Sequence, residues 1–368
     1  MSVFHTRPAL RWLVPTGAAL AIVGGGAAVG TFASAAEPSL PERSAAQLLV
    51  DLQTAQLDGL SGTVITRADL GLPSLPLPSG AGAARLASLV SGTHTLRVWY
   101  AGPDQTRVAL LDTLGETDVI RNGSDVWFWD SQANEARHST LSDSEPGRPA
   151  GAAALPSTPQ EAADRALAAI DPSTRVSVGR STSVAGRDAY ELVLEPRDEG
   201  SLVGQLRFAI DAAEHVPLRF QVIPRGTRQP AFELAFTHVD FDRPDPVQFT
   251  FNPPPGTRVI EEPAGPEPRP GKDHPEPTVV GEGWTTVLVG RLPDDNRPGA
   301  GGPDDAGTPK PGDGLRGLLD RLPAVSGAWG SGRLLTGTLF SVLVTDDGRV
   351  LAGAVTPERL YTVAQQVR

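Results

Sequence analysis

QLRFAIDAAEHVPLRFQVI, residues 205–223, alternates apolar and polar residues with a period of two on either side of a polar centre. Leu206, Phe208 and Ile210 fall on one face, and Leu218, Phe220 and Val222 repeat the pattern after the turn. The next segment, QPAFELAFTHVDFD, does the same with Phe232, Leu234 and Phe236. Period-two alternation places successive side chains on opposite faces, so this is an antiparallel sheet with one apolar face. Upstream, THTLRVWYAG sets Leu96, Val98 and Tyr100 against Arg97 and Trp99, and TRVALLDT is a further strand. TDVIR-NG-SDVWFWD is a hairpin, with Asn122-Gly123 expected to form a type I′ turn. Its second strand carries aromatics on both faces: Trp127 and Trp129 oppose Val126 and Phe128. The outer pair is expected to be covered by the C-terminal part of the chain.

Helices are few. Residues 42–58 read as an amphipathic helix with Leu48, Leu49 and Leu52 near one face, capped by Ser39 or Ser44 and ended by Gly59 and Gly62. Thr158-Pro159 followed by Glu161 makes a capping box for a mid-chain helix that runs to Ile170. Between the first strands, residues 68–90 are apolar but broken by Leu-Pro repeats that cannot form a ladder. The chain strands again from about residue 174, in two segments joined near Ala185-Gly186, and this region closes with VQFTFNPPPGTRVIEE. Residues 263–280 read as a Pro-rich linker, and 281–368 as an α/β extension with a flexible segment near 291–314. In that extension VVGEGWTTVLVG is a strand, LRGLLDRLPAV a short helix, RLLTGTLFSVLVTDDGRVLAGAVTP a hairpin turning at Asp347-Gly348, and PERLYTVAQQ a terminal helix.

Composition narrows the function. The chain of 368 residues has a net charge of −11 and no basic stripe, which argues against nucleic-acid binding because phosphate contacts need a basic surface. It has no cysteine, so disulfides, thiolate metal sites and a lipid-modified cysteine are excluded. Arg7 and Arg11 precede an apolar run from Trp12 to Phe32, followed by Ala33-Ser34-Ala35. That is an export pattern over residues 1–36; a cleaved signal and a retained anchor at 12–32 both fit, and residues from 37 onward are expected outside the cytoplasmic membrane. No G-x-S-x-G elbow and no H-E-x-x-H occurs, and the six histidines are scattered. His238 beside Asp240 and Asp242 reads as a polar strand end, and Asp346-Asp347-Gly348 as a turn. Neither an enzyme nor a resident cofactor or metal is expected.

Two stretches resemble the LolA/LppX/RseB superfamily of exported bacterial proteins: DVIRNGSDVWFWDSQANEARHSTL, residues 118–141, and the closing VQFTFNPPPGTRVI, residues 247–260. The resemblance covers about residues 40–262. It implies an α+β fold, an incomplete antiparallel β-barrel (a curved sheet) wrapped around helices, with a lipid-binding half-barrel over residues 37–262. It also implies a carrier of lipid or acylated lipoprotein, with a membrane transporter as donor, or an envelope sensor that acts on an anti-sigma factor. The expected cavity lining is Leu96, Val98, Tyr100, Phe128, Leu206, Phe208, Phe220, Leu234 and Phe236.

Overall fold

The computed structural model describes residues 38–71, 91–113, 115–141, 172–262, 277–292, 317, 319 and 321–367. The export pattern, most of the Leu-Pro stretch and the mid-chain helix lie outside these residues.

Helix α1 is Ala45–Thr54. Ser44 caps it in a reciprocal box: its hydroxyl accepts from the Gln47 N–H, and the Gln47 side chain accepts from the Ser44 N–H. The helix is shorter than the 42–58 expected. It ends at Thr54 because the chain must turn for Leu57 to pack into the cluster that holds Val64 and Phe236. Gly59 and Gly62 lie beyond the helix, Gly62 within the first strand.

Six strands then form a meander: β1 Leu60–Asp69, β2 Ser91–Tyr100, β3 Gln105–Asp112, β4 Gly115–Asn122, β5 Asp125–Asp130 and β6 Glu135–Thr140. After the undescribed segment come β7 Thr174–Val178, β8 Thr182–Val184, β9 Arg187–Pro196, β10 Val203–Asp211, β11 Pro217–Pro224 and β12 Phe232–Asp240, and later β13 Arg258–Glu262. All belong to one sheet of thirteen strands in the order β13-β6-β5-β4-β3-β2-β1-β12-β11-β10-β9-β7, with β8 on β9. Two meanders meet where β12 pairs antiparallel with β1. The sheet is curved, and among the described residues it stays open, since β13 and β7 stand at its ends without pairing to each other. Register shifts at Thr63/Val64, Val203/Gln205 and Ala209/Ile210 mark bulges that bend it.

One turn differs from expectation. Asn122 pairs with Asp125, so the central residues of the β4–β5 turn are Gly123 and Ser124, and among them only Gly123 has positive φ. Asn122 is therefore the last strand residue and not a turn residue. Positive φ at both centres, the type I′ requirement, occurs at Ala185 (φ 52) and Gly186 (φ 76), which join β8 to β9. The region read as two strands there holds three, since β7 and β8 both pair with β9.

The remaining chain forms a second sheet from β14 Thr278–Val280, β15 Val287–Arg291, β16 Ala324–Gly327, β17 Gly330–Thr336, β18 Ser341–Thr345 and β19 Arg349–Gly353, in the order β14-β15-β19-β18-β17-β16. β14 lies inside the stretch read as linker, and the expected single hairpin is three strands. Helix α2, Pro357–Gln366, packs its Leu360, Val363 and Ala364 into a core with Val287, Trp329, Leu343 and Leu351. This unit docks on the large sheet. The Leu202 N–H donates to the Ala354 carbonyl at 2.9 Å, the Thr356 N–H to the Gly200 carbonyl at 3.0 Å and the Thr338 N–H to the Leu70 carbonyl at 2.8 Å. Trp284, 8% exposed, donates its indole N–H to the Thr174 hydroxyl at 2.7 Å.

Candidate functional site

Strand register brings all nine expected lining residues to one face of the large sheet. Leu206 pairs with Val222 and Phe208 with Phe220; Phe220 pairs with Leu234. Phe236 then pairs with Val64, and Val64 with Leu96. Gly62 and Leu60 pair with Val98 and Tyr100. From Val98 the row continues through Val108 and Val119 to Phe128. Paired residues share a face, so the apolar row crosses from β10 to β5 without a break. Helix α1 lies on this face, because Leu48 packs with Leu206, Phe208 and Ile210.

Sequence reasoning missed the middle of the row. Val64, Leu60, Val108, Leu110 and Val119 fill it, but the sequence reading gives β1 and β3 only as strands, without a face. The alternation Val64-Thr66-Ala68 carries the signal for β1.

Six of the nine, Leu96, Val98, Leu206, Phe208, Leu234 and Phe236, are buried; Tyr100, Phe128 and Phe220 are half-buried. They fall into two packed groups. Leu206 and Phe208 join Leu48, Tyr190, Leu192 and Ile210, while Val98, Leu234 and Phe236 join Leu60, Val64 and Leu218. Phe220 packs on both groups and stacks obliquely on Phe208, ring centres 4.9 Å apart. The C-terminal unit reaches the first group through Trp284 and Leu339. A helix of ten residues is about 15 Å long, whereas twelve strands side by side span roughly 50 Å. Helix α1 alone therefore covers only the β7-β9-β10 end.

The opposite face explains the aromatic density of VWFWD. After β12 the chain crosses this face as a strap. Asp245 caps a 3-10 turn, Pro246–Phe249, whose Phe249 is 1% exposed against β3 and β4. Phe251 follows, its ring centre 5.2 Å from that of Trp127 and 5.8 Å from that of Trp129. The strap ends in β13, which pairs parallel to β6. The cover over the tryptophans is thus residues 246–251 and not the C-terminal unit, because the closing segment must return across β3–β6 to reach its own place in the sheet.

Charge is concentrated under and beside the strap. Asp118, 1% exposed, receives a hydrogen bond from Arg107 Nη2 at 2.5 Å, and the Arg107 guanidinium lies 5.2 Å from the Trp99 ring centre. Burial pushes the Asp118 carboxyl up to about 7; the Arg107 charge opposes this and the neighbouring Glu116 adds to it. His138 is stacked on Trp127 at 4.3 Å and sits between two carboxylates, with Nδ1 2.7 Å from Glu261 of β13 and Nε2 3.1 Å from Asp125 of β5. Burial, the largest single influence, disfavours its charge. The bonds to Glu261 and Asp125 together exceed that effect, so its pKa is raised.

The sign of the pH dependence follows. Both groups have a folded pKa above the unfolded one, so both bind protons more tightly in the folded state. Their contribution is complete below the ordinary values, 3.8 for Asp118 and 6.5 for His138, and is lost as pH rises through the folded values. Asp211, bound by Arg187 at 2.5 Å and by the backbone at residues 213–214, runs the other way: burial opposes its charge but these bonds lower its pKa, so its contribution is lost in acid. The folded chain is therefore expected to be less stable at pH 8 than at pH 5 by roughly 2 kcal/mol. Urea unfolding at both pH values and fixed ionic strength measures this, and Asp118→Asn should flatten the slope. A wild-type slope of the opposite sign would contradict the assignment.

Among the described residues no helix is long and apolar enough to cross a membrane, and no cluster of three potential metal ligands occurs. No family model and no curated protein matches the sequence. Solved structures do match. The MucA/MucB complex of Pseudomonas aeruginosa is 16% identical, with 87% of this chain and 96% of that chain covered and a TM-score of 0.43. A LolA superfamily protein from Nitrosomonas europaea is 13% identical, with 57% and 99% covered and a TM-score of 0.22. An uncharacterized conserved protein from Thermus thermophilus is 14% identical, with 59% and 98% covered and a TM-score of 0.34.

Proposed function

We propose that this chain is an extracytoplasmic carrier that holds the acyl chains of a lipid or lipoprotein against the α1-bearing face of its large sheet. The observation that carries the reading is the unbroken apolar row from Leu206 to Phe128 on an open sheet. Burying acyl chain contributes roughly 0.8 kcal/mol per CH₂, so a chain of about 16 carbons resists entering water by something over ~10 kcal/mol. A host must offer a long apolar surface to offset this, and a row crossing β10 to β5 does so. The export pattern at Arg7, Arg11 and Ala33–Ala35 supports a site of action outside the cytoplasmic membrane, with a membrane transporter as donor.

A second reading, a sensor that controls an anti-sigma factor through protein contact, is supported by the docking of the C-terminal unit. Trp284 and Leu339 share an apolar cluster with Phe208, so an occupant that repacks this cluster also moves that unit.

Mass spectrometry of an organic extract from the purified full chain, made in a bacterial host with export, tests the carrier. A stoichiometric acylated species is expected. The half-buried Phe128 and Phe220 are the residues to change, because polar substitution of the buried Phe208 or Phe236 would unfold the sheet. Phe128→Ser with Phe220→Ser should cut occupancy by about tenfold, the scale set by losing ~1.5 kcal/mol of apolar burial. A clean extract and no uptake of added lipid by folded protein would dismiss the reading.

A further inference from the structure

We propose that Thr66 is a polar anchor within the acyl-binding face, where its hydroxyl donates to the carbonyl at the head of an acyl chain. The proposal rests on the preceding reading and names the ligand group that the site selects. Thr66 is 2% exposed, and its Oγ1 is buried without a hydrogen-bond partner. By register it lies between Leu234 on β12 and His94 on β2, with Val64 and Ala68 above and below it on its own strand. Three of these four neighbours are aliphatic and cannot accept a proton. A buried hydroxyl with no acceptor costs the fold a hydrogen bond, and a ligand that supplies the acceptor recovers it.

His94 completes the arrangement. Its Nε2 lies 2.7 Å from the Ser91 carbonyl, and a carbonyl only accepts, so Nε2 carries the proton. In the neutral ring Nδ1 is then an acceptor. The next row holds only small residues on these two strands, Ala68 opposite Gly92. Among the described residues, a Cβ built on Gly92 would meet nothing nearer than His94 Nε2 at 3.9 Å, so none of them fills the space beside the pair. Around Thr66 the face thus offers a donor, an acceptor and only small side chains in the next row of β1 and β2, while the Tyr100 hydroxyl lies six residues away along β2. That suits a long apolar chain bearing a single carbonyl: an ester uses the Thr66 donor, and an amide uses His94 Nδ1 as well.

The test uses the full chain with a bound uncharged fluorophore, N-phenyl-1-naphthylamine, displaced by methyl dodecanoate, N-methyldodecanamide or tridecane. Thr66→Val keeps the shape and removes the hydroxyl; Thr66→Ser keeps the hydroxyl. Thr66→Val is expected to weaken displacement by the ester and the amide about tenfold, to leave tridecane within about twofold of wild type, and Thr66→Ser to retain most of the carbonyl preference. A stronger amide than ester in wild type assigns an N-acyl ligand; the reverse order assigns an O-acyl lipid. If all three probes bind and Thr66→Val changes none, or weakens all alike, this proposal fails while the carrier reading stands. If none binds folded wild type, both fail.

Discussion

Phe249→Ala is expected to destabilise the chain by about 3–5 kcal/mol, the usual cost of emptying a large buried aromatic site. Phe249 is 1% exposed and is the only buried residue of the strap's 3-10 turn. Its neighbours on the chain hold less. Val247 is 62% exposed, and Gln248 contributes its carbonyl to Arg107 Nη1 at a long 3.5 Å. The ring therefore fixes the turn on β3 and β4, and beyond it the strap is tied by Phe251, by bonds of Gly256, Thr257 and Arg258 to Asn134 and Glu135, by the β13 ladder and by the carboxylate of Glu261 at His138. Losing Phe249 should uncover Trp127 and Trp129 as well, giving a red-shifted tryptophan emission at urea concentrations below the main transition. Phe249→Leu should cost roughly 1–2 kcal/mol and keep the emission native. An unchanged urea midpoint for Phe249→Ala would mean that the strap contributes nothing to the fold.

Arg349→Leu should cost about 3 kcal/mol, comparable with removing one member of a buried ionic network. Arg349 is 5% exposed, and its guanidinium donates to four groups: the Ala364 carbonyl at 2.8 Å, the Val367 carbonyl at 3.4 Å, the Trp329 carbonyl at 3.4 Å and the Asp347 carboxylate at 2.8 Å. Two of those carbonyls close the last turn of α2, where the helix has no intrahelical donors left and a cation is favoured by the dipole. Leucine fills the volume but leaves these acceptors bare. Lysine should recover little, because one ammonium cannot serve all the acceptors that are arranged around a planar fork. Trp329 reports the change directly, since it stacks on Tyr361 of α2 with ring centres 5.5 Å apart and planes 12° from parallel. Asp347 should respond too. Burial raises its carboxyl, but the bonds from Arg349 and Thr345 hold it down at about 2, and in the variant it should move back toward the ordinary range. A variant with the wild-type midpoint and an unmoved Asp347 would show the network to be dispensable.

The sheet faces were legible because their code is local. In β10, β11 and β12 the alternation of Leu206, Phe208, Phe220, Leu234 and Phe236 states which side is buried, and a slip by one residue would turn every one of them to water. The pairing of these strands with the first meander was not legible. Nothing in Val64 or Phe236 says that they are partners; that contact is chosen by the closure of the whole sheet. The strap was misjudged for a related reason. β13 has five residues, four of them exposed, so it carries no alternation to read, and its parallel pairing with β6 follows from the route of the chain. The β4–β5 turn was misplaced by one residue because Asn-Gly is a strong turn signal taken alone, whereas here the Thr117–Asn122 and Asp125–Asp130 pairs fix the register first. Thr66 was passed over because a threonine in a strand is unremarked until its neighbours are known.

The junction of β1 with β12 also sets a clock. Arg67 and Glu233, bonded across it at 2.8 Å, are separated by 166 residues. Until β12 exists and is in place, the first meander has a bare β1 edge, with Val64 and Leu60 lacking Leu234 and Phe236 as packing neighbours. Loops this long close slowly, and sheets dominated by distant pairings fold on the scale of milliseconds to seconds or longer. During that interval the unpaired edge is open to the wrong strand, from another copy or from the chain itself. Folding of the large sheet is therefore a matter of waiting for its twelfth strand, and the strap, which follows β12 in the chain, is placed to arrive after it.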